Sequence, residues 1–143
     1  MKLESIVIKN IRCIEDTTID IRDYTSLIGP NNCGKSSVLR AIEILLGQQT
    51  PDIEEWRKGH RDMDLVIEGE FGDLQEWEKS TPGVAGTVHA DKIRLRVRFS
   101  IEPDTEKIKK STKHSSPRNP SPAGPTGGPA LQRKSERLQG KWG

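Results

Sequence analysis

Residues 29–37 read GPNNCGKSS. Gly29, Gly34, Lys35 and Ser36 meet the spacing G-x-x-x-x-G-K-[ST], and each position has a physical task. Gly29 and Gly34 admit backbone angles that a side chain forbids. The loop's amides can then converge on an anion at the start of a helix. Lys35 brings a mobile positive charge to β- and γ-phosphates, and the Ser36 hydroxyl suits Mg²⁺. Asn32 can take the left-handed angles that the loop tip needs. Asn31 reads either as a γ-phosphate contact or as a turn former without ligand contact. Cys33 reads as a small residue in a serine-like position rather than a redox switch, since no resolving thiol is evident in the sequence. Gly29, Asn31, Asn32, Cys33, Gly34, Lys35, Ser36 and Ser37 are thus the expected phosphate-binding residues, with Ser36 the expected metal ligand.

The flanks agree with the loop. Upstream, Ser5–Ile11 (SIVIKNI), Thr17–Ile21 (TTIDI) and Tyr24–Ile28 (YTSLI) are rich in β-branched residues and read as three strands. Downstream, Lys35–Leu46 (KSSVLRAIEILL) places Val38, Ala41, Ile42 and Leu45 on one helical face, with Leu39 and Leu46 beside it. Arg40 and Glu43 mark a narrow polar side. So apolar a helix belongs against a sheet. Leu65–Phe71 alternates as a half-exposed strand, and Asp73–Ser80 suits a helical turn. Lys92–Ile101 (KIRLRVRFSI) has the cleanest period of two, with Ile93, Leu95, Val97, Phe99 and Ile101 on one face.

Charge divides the chain. Its 23 basic and 21 acidic residues split into 14 against 18 over residues 1–102 and 9 against 3 over residues 103–143. The second part also holds six of the nine prolines. A lobe over 1–102 followed by a basic, mostly disordered tail over 103–143, with a short helical turn near Leu131–Leu138, is expected. Two cysteines, Cys13 and Cys33, without metal or disulfide spacing fit a reducing cytoplasm. Charges interrupt the apolar N-terminus, and no run reaches membrane-spanning length, so no membrane partner is expected.

Two strands before the loop, with IKNIR about twenty residues upstream of it, resemble the ABC-type ATPase heads of the RecF/SMC group. The spelling GPNNCGKSS followed by VLRAIEILLG is similar to the overcoming-lysogenization-defect (OLD) family of ATP-dependent nucleases. The likeness covers about residues 3–71. It implies an α/β P-loop NTPase lobe, a mixed sheet around one P-loop helix, that binds ATP and Mg²⁺. It also implies that the first strands form an antiparallel sheet over the nucleotide base, and that Arg12 stands near the nucleotide. A solvated turn residue is the alternative for Arg12.

The signature segment and the Asp-Glu strand that ABC-type hydrolysis needs are not recognisable, nor is a nuclease domain. The sequence therefore reads as the first lobe of a larger ATPase, cut short, which binds MgATP weakly and hydrolyses little alone. An out-of-frame origin would explain the abrupt change near residue 111. The rival reading is a non-enzymatic module that pairs with a larger ATPase, dimerises, or touches DNA through its basic tail. A GTPase lacks support, since no N-K-x-D motif is present. Arg94, Arg96 and Arg98 suit a strand face paired with acidic neighbours better than a nucleic-acid footprint. His60, His89 and His114 are too scattered for a metal site, and Trp56 and Trp77 read as packing residues under loops.

Overall fold

The computed structural model describes residues 1–30 and 34–117. Five strands form one sheet: β1 (Lys2–Ile11), β2 (Ile14–Asp20), β3 (Leu65–Gly72), β4 (Ile93–Ile101) and β5 (Ile108–Ser115), in the order β2-β1-β3-β4-β5. Helix α1 (Lys35–Leu45) follows the loop, and a single-turn helix α2 (Glu76–Lys79) lies between β3 and β4. All four strand pairings are antiparallel. The mixed sheet implied by resemblance would need a parallel neighbour, and none is formed among the described residues.

Period-two patterning sorts the sheet into two unlike faces. Ile6 and Ile8 of β1, Leu65 and Ile67 of β3, and Val97 and Phe99 of β4 are all buried, and register sets Ile8 beside Ile67 and Ile67 beside Val97. Val38, Ala41, Ile44 and Leu45 of α1 complete this core. Gly69 leaves room for the helix: a Cβ there would lie 2.5 Å from Leu45 Cδ2. Among the described residues, only one side of α1 is covered. Leu39 and Leu46, read from sequence as part of its apolar surround, are exposed.

The opposite face carries charge in cross-strand pairs. Arg94 Nε lies 3.0 Å from Glu68 Oε1, Arg96 Nη2 lies 2.6 Å from Glu68 Oε2, and Arg94 Nη2 lies 3.2 Å from Glu70 Oε2. Arg98 reaches Asp64 at 3.4 Å. Pairing with acidic neighbours is thus what occupies the three arginines. Glu68, expected on a half-exposed strand, is buried, because β3 is a central strand and two guanidiniums cover it.

Three further expectations change. Tyr24–Ile28 forms no strand: Tyr24 is 96% and Ile28 92% exposed. β-branched content favours extended backbone, but a strand persists only where a neighbour takes its hydrogen bonds. The lobe does not stop at residue 102, since Ile108–Ser115 adds β5 along the whole of β4. Its sequence, IKKSTKHS, gave no apolar signal; backbone pairing holds it, with Ile108 against Ile101 and the Lys110 ammonium 6.0 Å from the centre of the Phe99 ring. Trp56 is buried as expected, its indole N–H donating to the Met63 carbonyl at 3.1 Å, but Trp77 is exposed because α2 is too short to fold it under. The turn expected near Leu131–Leu138 lies outside the described residues.

Candidate functional site: the loop, the first turn of α1 and the Arg12 cleft

Gly34 opens α1 with φ 95° and ψ 5°, a left-handed conformation that glycine takes without strain. A Cβ there would lie in ordinary contact with Cys13 Sγ and Ile14 Cγ1, each at 3.4 Å, so the backbone angle rather than lack of space calls for glycine. The first helical bond runs from the Val38 amide to the Gly34 carbonyl at 2.9 Å. Among the described residues, no side chain caps the helix start, and no acidic residue stands in its first turn. The amides of Lys35, Ser36 and Ser37 are therefore left for an anion, as at any uncapped helix N-terminus. The Lys35 ammonium folds over the loop and donates to the carbonyls of Gly29 and, at 3.0 Å, Pro30. Ser36 is exposed, whereas Ser37 is buried with its hydroxyl 3.8 Å from Cys13 Sγ. Asn31, Asn32 and Cys33 lie outside the described residues.

The β1–β2 turn, Arg12–Cys13, stands against this helix start. Arg12 has φ 47°, unusual for a residue with a side chain. Its amide donates to the Glu55 carbonyl at 2.8 Å, and its guanidinium donates to Glu55 Oε1 at 3.1 Å. A cleft of about 800 Å³ opens here, lined by Arg12, Cys13, Glu54, Trp56, Arg57 and Lys58. A second groove, of about 280 Å³, lies between β2 and the loop, with Thr17, Leu27, Gly34 and Lys35 in its wall.

Two residues important to this geometry are not among the site residues expected from sequence. Glu55 ends a short 3₁₀ turn (Ile53–Glu55) and is buried, yet charged. Burial pushes its carboxyl up. The hydrogen bond from Arg40, the Asp52 amide and the charges of Arg40 and Arg12 outweigh this and hold it below the usual carboxylate range. Arg40, noted only as part of a polar helix side, donates from Nε at 2.6 Å and from Nη2 at 3.2 Å. The Glu55 hydrogen bond raises its guanidinium above the ordinary value, against burial. The spacing Asp52-x-x-Glu55 did carry a signal, that of a capping box, and the Asp52 amide does donate to Glu55 Oε2 at 3.0 Å. Nothing local marks its two arginine partners.

A helix entered through a left-handed glycine and a lysine-bearing loop, set against an antiparallel sheet, defines an α/β lobe. Comparison with known families narrows this class. The AAA ATPase domain family matches residues 1–121, most of the chain, and the protein belongs to that family. Among curated proteins, an OLD nuclease of Thermus scotoductus is 38% identical over 55 residues, 38% of this chain and 10% of that protein. A chromosome partition protein Smc of Methanocaldococcus jannaschii is 30% identical over 128 residues, covering 78% of this chain and 11% of its own. The Old nuclease of Escherichia phage P2 is 41% identical over 46 residues, 32% of this chain and 8% of that protein. The chain thus spans about a tenth of the length of these curated relatives. Among the described residues, no helix is long and apolar enough to cross a membrane.

Proposed function

We propose that the chain is an ATP-binding lobe in which Gly29–Ser37 cradles the triphosphate, Lys35 neutralises its β- and γ-phosphates, and Ser36 ligates Mg²⁺. The observation that carries this reading is the first turn of α1. Among the described residues, no side chain caps its amides, its first turn holds no carboxylate, and the Lys35 ammonium rests on the carbonyls of Gly29 and Pro30, weak acceptors. A phosphate would be the stronger acceptor for that ammonium. Asn31 takes the γ-phosphate end in this reading. Arg12, on the cleft wall, takes the nucleotide side of the β1–β2 turn. Bound Mg²⁺ would supply charge neutralisation between the phosphates.

Turnover needs an oriented water and an acidic metal-side strand in addition. Glu68 does not supply one, being buried between Arg94 and Arg96. The lobe alone therefore binds MgATP and hydrolyses it little. The family and the likeness to OLD nucleases and Smc proteins support a place in a DNA-processing ATPase.

A second reading draws on the exposure of Tyr24, Ile28 and Leu39. Apolar side chains left in water around the loop and α1 suit cover by a larger ATPase or a second copy. Both readings meet in one experiment. Calorimetric titration of the full chain with MgATP, with GTP as control, should show binding that Lys35→Ala abolishes. A folded protein without such binding overturns the ATP reading, and co-purification with a larger ATPase would then favour the module.

A further inference from the structure

Glu55 joins two elements that the sequence keeps 28 residues apart, Arg12 of the β1–β2 turn and Arg40 of α1. We propose that Glu55 is a positioning residue for the nucleotide: it holds the Arg12 guanidinium at the cleft wall and ties that guanidinium to the phosphate-loop helix. This rests on the ATP-binding reading above.

The attachment is double at Arg12. The Glu55 carbonyl takes its amide at 2.8 Å, which keeps the turn in its left-handed form, and the Glu55 carboxylate takes its side chain at 3.1 Å. Glu55 itself has no freedom to follow Arg12 elsewhere. Its carboxylate is 7% exposed, both oxygens are engaged by Arg40, and Oε2 also receives the Asp52 amide. Arg12 differs: its side chain is 43% exposed, and among the described residues only its Nη2 is committed, to Glu55. A guanidinium has five N–H donors in a fixed fork, so orientation by one carboxylate leaves the others aimed as a set. The neighbouring Cys13 lies 3.8 Å from the Ser37 hydroxyl in the first turn of α1, so the turn that carries Arg12 touches the helix start. A ligand with two separated anionic or polar groups, a nucleoside triphosphate, would meet both at once. Were Glu55 present only to satisfy Arg40, its loss would act through α1 and be indifferent to Arg12.

A double-mutant cycle on the full chain tests this. MgATP affinity is measured by calorimetry for wild type, Arg12→Ala, Glu55→Gln and the double variant, with thermal melts alongside. Glu55→Gln should weaken binding by roughly tenfold, the scale of one charge-assisted hydrogen bond. In the Arg12→Ala background the same change should cost almost nothing further. Losses that simply add overturn the proposal, because Glu55 would then act without Arg12. Should Glu55→Gln fail to fold, Glu55→Asp carries the cycle, since it keeps the negative charge between the two arginines while shortening the reach to Arg12. A folded wild type that ignores MgATP overturns the ATP reading and this one together. Binding lost in Lys35→Ala but unchanged in the Glu55 variants overturns this one alone.

Discussion

Ile93–Ile101 and Tyr24–Ile28 are both written in strand-like residues, and they end in opposite situations. The first lies between β3 and β5, with Val97 and Phe99 buried. The second carries no ladder and leaves Tyr24 and Ile28 almost wholly in water. The difference lies in the neighbours. An extended segment needs donors and acceptors on its flanks and a surface for one face, and residues 1–117 provide these at one place and not at the other. The chain accordingly has a self-sufficient half, the sheet with the inner face of α1, and a half still open, the loop with the outer face of α1.

Mutations should report this division, beginning with the core. Phe99→Ala removes a fully buried ring and should cost about 3–5 kcal/mol in chemical denaturation, enough to unfold a small lobe. Arg94→Ala leaves Glu68 and Glu70 short of a partner on a face where Arg94 and Glu68 are both buried, and a loss of about 3 kcal/mol is expected. Gly69→Ala forces Leu45 from its seat over the sheet and should cost about 1–3 kcal/mol, read as a lowered melting temperature. Glu55 gives a pH signature. Its folded-state carboxyl lies below its unfolded value, so its stabilisation is complete above the unfolded value and disappears as pH falls through the folded one. The melting-temperature gap between wild type and Glu55→Gln should therefore close as pH drops below about 4. Arg98→Ala breaks an exposed pair and should cost under about 1 kcal/mol. Tyr24→Ser and Ile28→Ser should change stability by no more than about 0.5 kcal/mol. A loss at Tyr24 comparable to that at Phe99 would break the comparison, for it would mean that the open segment is already packed.

The same division explains what the sequence discloses. β3, β4 and the start of α1 are legible because the signal and the structure are both local: alternation in Ile93–Ile101, and a glycine followed by Lys35 at the helix start. β5 is not, since its place depends on the backbone of β4 and not on its own polar side chains. The false strand at Tyr24–Ile28 has the converse cause, a correct local preference without a partner to realise it. Arg12 is nominated by the resemblance of IKNIR to the RecF/SMC heads. Its tether to Glu55 joins residues 43 apart, and no periodicity spans that distance.

The two outer strands have one more consequence, for the behaviour of the protein in concentrated solution. β5 lines its edge of the sheet with Lys109, Lys110 and Lys113, and β2 lines the other with Glu15, Asp16 and Asp20. Two copies meeting β5 to β5 would set lysine against lysine, and two meeting β2 to β2 would set carboxylate against carboxylate. Open edges are where sheets grow into aggregates, and like charge is a recognised guard against it. The guard is electrostatic, so it weakens as salt shortens the range of repulsion. Acetylation of the three lysines would remove it from the β5 edge altogether.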